Sequence, residues 1–187
     1  LTRLEARLLE RFVGKFFIGV DLGKQQDYSV ISVMKKEGKT VKLVHLKRFP
    51  LKTPYATVLG YLQILCRKLR YVEKIYIDRT GVGDYIVEEA KRIGLPNVEG
   101  INFTIRSKED MAVSFKQAML TGKIRLPYNR ELATGLNVER FTLTPDGHYK
   151  FSHPKNAHDD IFWSVILAYV ASRGDVSEIK RGEGFKW

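Results

Sequence analysis

A single cysteine, Cys66, stands in the whole sequence, so no disulfide can form within the chain. It sits in the apolar-periodic stretch 58–69, where a core thiol is the expected role, and the composition suits a reducing compartment. Prolines number only 6 in 187 residues, and no long polar tract, repeat or low-complexity block interrupts the middle. No apolar run approaches the roughly 20 residues that cross a bilayer, so no membrane partner is expected. A signal-peptide pattern is missing too, because Arg3, Glu5, Arg7, Glu10 and Arg11 break the first residues. There is no Gly-x-x-x-x-Gly-Lys-Ser/Thr loop to cradle a nucleotide's phosphates. Negative charge is the scarcer sign: 21 acidic residues against 32 basic, a formal net charge of +11. That surplus favours a polyanionic partner, since each neutralised phosphate releases counterions; a basic surface that serves only solubility is the plainer alternative.

What is present is enough hydrophobic residue, 44%, to build one ordinary domain with a full core. Residues 1–14 carry helical periodicity and read as a linker helix from an upstream domain. Residues 15–173 read as the domain and 174–187 as a polar tail. Phe16–Asp21, Tyr28–Lys35 and Thr40–Phe49 predict three strands in a row, with Glu37-Gly38-Lys39 as a tight turn. Thr53–Leu69 predicts a helix, with Thr53 as cap and Pro54 in the first turn. Lys74–Asp78 and Val98–Phe103 predict strands, separated by a helix over Asp84–Ile93. Ser107–Leu120 predicts a helix capped by Ser107. A short extended piece at Lys123–Pro127 and a short helix at Asn129–Asn137 follow. Thr144-Pro145-Asp146-Gly147 marks a hairpin turn between Arg140–Leu143 and His148–Ser152. Ala157–Ser172 predicts a last helix, apolar nearly all round and therefore buried. The leading meander argues for antiparallel pairing and the later alternation for parallel strands. The fold class is α/β: a mixed sheet with helices on both faces, plus a β-hairpin before the C-terminal helix.

Three carboxylate points stand out. Phe16-Phe17-Ile18-Gly19-Val20-Asp21 and Lys74-Ile75-Tyr76-Ile77-Asp78 are apolar strands that end in an aspartate, and His158-Asp159-Asp160 opens the last helix. Functional side chains of open α/β sheets gather beyond the carboxyl ends of the strands. If the two strands are parallel neighbours, Asp21 and Asp78 share one crevice, and Asp159 or Asp160 can join them. Three carboxylates suit Mg²⁺ or Mn²⁺. Two such ions, about 4 Å apart, can clamp the attacking and leaving oxygens of a phosphodiester. Each aspartate also has a plainer role: a turn at Asp21, a pair with Arg79 for Asp78, a helix cap for one of Asp159 and Asp160. Spacing assigns the ligand to Asp160 and the cap to Asp159. Asp84 reads as a favourable first-turn charge, His158 as structural and Trp163 as core. Gly81 and Gly83 suit a tight turn, or a phosphate cradle at the following helix.

Gly19-Val20-Asp21-Leu22-Gly23, Asp78-Arg79-Thr80-Gly81-Val82-Gly83, Gly122-Lys123-Ile124-Arg125-Leu126-Pro127 and His158-Asp159-Asp160 together resemble the nuclease domain of large terminase subunits. These are the DNA-packaging motors of tailed double-stranded DNA viruses. The resemblance runs from about residue 15 to 172. It implies an RNase H-like fold and a metal-dependent endonuclease that cuts concatemeric viral DNA. It further implies two metal ions held by Asp21, Asp78 and Asp160, with Asp159 as substitute and Asp27 as an accessory acid. Where many relatives carry another aspartate three residues after the pair, this chain has Trp163. The missing phosphate loop means that the family's ATPase motor is absent here. An ATPase domain, a portal and a small terminase subunit are the implied partners. The host cytoplasm, with a transient stay at the procapsid portal, is the implied location.

Lys24, Arg79, Arg106 and Lys108 lie near strand ends and are candidate phosphate contacts. Lys123, Arg125, Arg140, Lys150 and Lys155 lie around the hairpin and could extend a basic track to the site. No helix is obviously built to read base edges, so low sequence specificity is expected. Three other functions fit the same features: a junction resolvase or transposase of the same fold, an ATP-binding domain of the actin and sugar-kinase type, and a non-catalytic DNA-binding packaging module.

Overall fold

The computed structural model describes residues 14–23, 26–145, 147, 149–152, 154 and 158–174, without the side chain of Lys150. The helix expected over 1–14 and the tail expected over 174–187 lie outside the described residues, Gly14 and Gly174 apart.

Strand β1 (Phe16–Asp21) is buried at every position, as an unbroken apolar run predicts for a central strand. It pairs antiparallel with β2 (Val30–Glu37), which pairs antiparallel with β3 (Thr40–Arg48). On its other side β1 runs parallel with β4 (Val72–Asp78), and β4 with β5 (Val98–Ile101). A two-residue β6 (Ile124–Arg125) lies parallel with β3, giving the order β5-β4-β1-β2-β3-β6. The expected meander and the expected parallel half therefore meet at β1. Strands β7 (Arg140–Leu143) and β8 (Tyr149–Ser152) form the separate hairpin.

The helices divide between the two faces. Side chains alternate along β1, so Phe16, Ile18 and Val20 point one way and Phe17, Gly19 and Asp21 the other. The first set packs against α1 (Tyr55–Lys68) and α2 (Asp84–Arg92). The second face is covered by α3 (Ile105–Leu120), α4 (Arg130–Leu136) and α5 (Asp160–Arg173). Helix α5 is buried almost all round, as its composition predicts. It lies directly on β1 because position 19 is glycine. A Cβ there would stand 2.1 Å from the Ser164 carbonyl oxygen and 2.4 Å from the Ala168 nitrogen. The Ser164 hydroxyl is 2.8 Å from Ser32 Oγ, 3.1 Å from the Gly19 carbonyl and 3.2 Å from the Val30 carbonyl, which pins the helix to the sheet.

Three local expectations are corrected. Helix α3 starts two residues earlier than expected, capped by Thr104. Its hydroxyl accepts from the Ser107 N–H at 3.1 Å while Ser107 Oγ accepts from the Thr104 N–H at 2.8 Å. Ser107 is the returning arm of a capping box, not the cap. Thr53 caps nothing either: its hydroxyl donates to the Pro50 carbonyl at 2.6 Å, and α1 begins after Pro54. Strand β5 stops at Ile101 rather than Phe103, because the chain then turns to reach Thr104.

Candidate metal centre

Asp21 and Asp78 are the last residues of β1 and β4, and the parallel register pairs Val20 with Ile77 immediately before them. Neighbouring strands lie about 4.8 Å apart, so the two aspartates leave adjacent backbones at the same end of the sheet. Asp160 arrives by a different route. Helix α5 crosses β1 at Gly19 through Ser164, four residues after Asp160. Four helical residues rise about 6 Å. The two strand residues from Gly19 to Asp21 span about 6.6 Å. Asp160 is thereby level with Asp21.

The electrostatics agree with that placement. Asp21 is buried, 9% exposed, and its carboxyl is held well above the usual range. Burial is the largest cause, followed by the charges of Asp78, Asp160 and Asp159; Lys108 opposes them. The Asp160 carboxyl, 5% exposed, is pushed up to about 6. Burial is again first, the Tyr28 N–H opposes it, and Asp159 and Asp27 add to it. Asp21 thus feels three other aspartates at the carboxyl end of β1, and Asp160 feels Asp27 as well, a cluster that costs free energy unless protons or cations balance it.

The Asp78 and Asp160 carboxylates are held by their surroundings. Asp78 Oδ1 accepts from the Thr80 N–H at 2.8 Å and the Thr80 hydroxyl at 2.6 Å. Thr80 Oγ1 in turn accepts from the Phe103 N–H at 2.8 Å, which ties β4's end to the segment after β5. Asp160 Oδ2 accepts from the Tyr28 N–H at 3.2 Å. Among the described residues no group of three or more His, Cys, Asp and Glu side chains is posed to hold a metal ion as it stands. The strand ends that carry Asp21 and Asp78 are adjacent, and the Asp78 and Asp160 side chains are turned to these donors. The donor set fits a hard divalent cation, being all carboxylate oxygen, and the mutual repulsion at Asp21 is the load such a cation relieves.

Asp159 occupies the N-cap position of α5, but its side chain makes no cap, which corrects the expectation. Asp159 Oδ2 accepts instead from the Trp163 indole N–H at 2.8 Å. The same N–H lies 3.1 Å from Glu139 Oε1. Glu139 is the residue that sequence reasoning missed. Burial and the adjacent Asp159 push its carboxyl up to about 7, against Trp163 and Lys108. It precedes β7 in a segment with no motif around it, so only the fold brings it here. Trp163 is core as expected, 1% exposed, yet its N–H serves the acidic cluster.

The candidate cations separate into groups. Lys108 is at the site: its ammonium lies 4.3 Å from the Trp163 ring centroid and 5.2 Å from that of Phe103, and its charge reaches Asp21 and Glu139. Arg106 is exposed in the first turn of α3. Arg79 follows Asp78 but pairs with Asp84, not with Asp78. Asp84 sits in the first turn of α2, as expected. Asp27 is exposed and lies 3.7 Å from the His158 ring nitrogen, whose ring stacks edge-on against Tyr28. Arg48, at the site end of β3, lies over Tyr28 and pairs with Glu131 at 2.9 Å. Lys123 and Arg125 do not join the site. Ile124 pairs with Val41, at the end of the sheet opposite the carboxylates. Lys24, Lys155 and the side chain of Lys150 lie outside the described residues.

Aspartates gathered at the carboxyl ends of adjacent strands in a mixed sheet, met by a third from a helix on the central strand, make an RNase H-like arrangement. The family model of the terminase RNase H-like domain matches residues 18–172, and the chain belongs to that family. It is 30% identical over 165 residues to the large terminase subunit of Thermus virus P23-45, which covers 85% of this chain. The chain spans about a third of that relative's length, 32%. It is similar to the large terminase nuclease of thermophilic phage G20c with bound magnesium: 28% identity, a TM-score of 0.72, 83% of this chain and 80% of that one. The same nuclease with bound cobalt superposes with a TM-score of 0.69 at 28% identity, over 83% of this chain and 80% of that one.

Proposed function

We propose that this domain is a metal-dependent endonuclease that cuts double-stranded viral DNA during genome packaging. What supports the reading is the placement of Asp21 and Asp78 at the ends of two parallel neighbouring strands, with Asp160 on the helix close enough for its charge to raise the buried Asp21 carboxyl. Asp21, Asp78 and Asp160 would hold two divalent cations, Mg²⁺ or Mn²⁺, with Asp159 and Asp27 at the margin. When bound, such ions lower the pKa of water and neutralise charge on the leaving 3′ oxygen.

The chain's own groups do the rest. Thr80 fixes one oxygen of Asp78 and the Tyr28 N–H one oxygen of Asp160, which sets where the remaining oxygens can point. Lys108 carries positive charge beside the cluster and supplies a contact for the phosphate that lies across it. Arg106 extends that contact along the backbone. The family resemblance supports DNA as the substrate, and the G20c nuclease's bound magnesium and cobalt support a divalent cofactor. Residues 15–173 would be the nuclease of a longer packaging motor that also brings an ATPase domain, a portal and a small subunit, in the host cytoplasm.

A plasmid-nicking assay tests this. Wild type nicks supercoiled DNA with Mg²⁺ or Mn²⁺ and not with EDTA, and Asp21→Asn and Asp78→Asn do not nick under any of these conditions. Full cleavage by either variant removes the assignment.

A further inference from the structure

Part of the positive charge of the described residues lies away from the carboxylates. Register shows where part of it goes. Lys35 of β2 stands directly opposite Lys42 of β3, and Lys42 directly opposite Arg125 of β6. Alternation settles their face. Met34, Val41 and Ile124 point into the core under α3 and α5, so Lys35, Lys42 and Arg125 point to the other side of the sheet. Three cations therefore sit side by side on three adjacent strands, with neighbouring Cβ atoms about 5 Å apart. Like charges placed directly opposite destabilise a sheet. The surroundings do little to offset this. Lys35 has Glu37 at 3.8 Å, and Lys15 is taken up by Glu73 at 3.1 Å. No acidic partner stands within ion-pair distance of Lys36, Lys39, Lys42, Lys123 or Arg125 among the described residues.

This row lies at the start of β1 and the acidic cluster at its end. Five strand residues separate them, about 17 Å. Nothing in the catalytic reading uses a positive surface at that end, and its side chains stand on the face of the sheet opposite to that of Asp21. We infer that the β2-β3-β6 end of the sheet, centred on Lys42 and Arg125 with Lys123 beside them, is a second docking surface for the phosphate backbone of duplex DNA. It rests on the reading of DNA as substrate but not on cleavage. Charge complementarity selects the occupant: a row of cations across strands meets a regular array of phosphates without needing any base contact.

The test is binding of a fluorescent duplex by the full chain in EDTA, across a series of salt concentrations. Without divalent ions nothing is cut, and the acidic cluster repels phosphate, so the share of the second surface is largest. One variant carries Lys42→Gln, Lys123→Gln and Arg125→Gln. A control of equal charge change carries Lys52→Gln, Lys116→Gln and Arg130→Gln, all exposed elsewhere. The first variant alone is expected to lose roughly 10-fold or more in affinity at low salt. Its log–log salt slope should fall by about 2 to 3, near 0.9 per lost phosphate contact. Equal losses in both variants reveal a net-charge effect and overturn the surface. An unchanged affinity in the first variant overturns it as well, and leaves an acidic protein as the partner of that face. Loss of nicking by the wild type would instead strike the catalytic reading, and is read in a separate assay.

Discussion

Asp21 ends a strand whose every residue is buried, and it is buried itself. A carboxylate in that position is unfavourable by burial alone and worse for having Asp78, Asp160 and Asp159 as neighbours. Removing its charge should help the fold and end the chemistry. Asp21→Asn is expected to melt higher than wild type in EDTA and to lose at least about 100-fold in Mg²⁺-dependent nicking, the loss expected for a metal ligand judged against its supporting partners. A melting temperature that drops, with nicking intact, would show Asp21 to be a structural turn. Glu139 gives a second residue-scale check. Its carboxyl is raised to about 7, so the folded state favours the protonated form. Glu139→Gln is expected to stabilise the metal-free protein at pH 8 and to change little near pH 4.5, the group's ordinary value. Thermal melts at the two pH values compare them. Asp21 and Asp78 were legible as single residues because a strand ending in Asp is a local pattern. Glu139 was not, because its partners Asp159 and Trp163 are twenty or more positions away and no spacing rule links them.

At the scale of elements, the decisive contact is α5 on β1. Gly19 allows it and Ser164 fastens it. Gly19→Ala places a methyl against the helix backbone, so the helix must lift. We expect a loss of about 1–3 kcal/mol or more in urea unfolding, together with lost nicking as Asp160 moves. Ser164→Ala leaves the Ser32 hydroxyl without its partner inside the core and should cost about 1–3 kcal/mol. If Gly19→Ala unfolds at the wild-type midpoint, the helix does not seat as described. The helix itself was legible from its apolar run, and the strands from theirs. That it could carry a third carboxylate was legible from His158-Asp159-Asp160 at its start, and the family resemblance pointed the same way. The division of labour between Asp159 and Asp160 was only half legible. The cap position was right, but Asp159's side chain turns to Trp163 because the indole N–H, buried beside it, needs an acceptor.

Among the described residues, Asp21 and Asp78 stand at the carboxyl ends of the parallel strands, and Lys42 and Arg125 pair at the opposite end of the sheet. Composition gave the surplus of positive charge but not its location. Lys123 and Arg125 read as part of a track to the site, and strand register moves them to the far end. The acidic pole sets the pH response. Asp21, Asp160 and Glu139 all have pKa values raised by folding. The folded protein then binds more protons than the unfolded chain in the interval between. The stability they contribute is complete below the ordinary carboxylate range. It is lost as pH rises through about 6 for Asp160 and about 7 for Glu139. In EDTA these groups are expected to lower the melting temperature from pH 5 to 8. Divalent ions should restore it most at the upper end, by about 2.7 kcal/mol at a hundred times the dissociation constant. The central claim is that Asp21, Asp78 and Asp160 close on shared cations, and anomalous diffraction from a Mn²⁺-soaked crystal tests it most directly. The account predicts manganese density contacted by all three carboxylates at the ends of β1 and β4; density that touches Asp21 without Asp78, or lies elsewhere on the molecule, would contradict it.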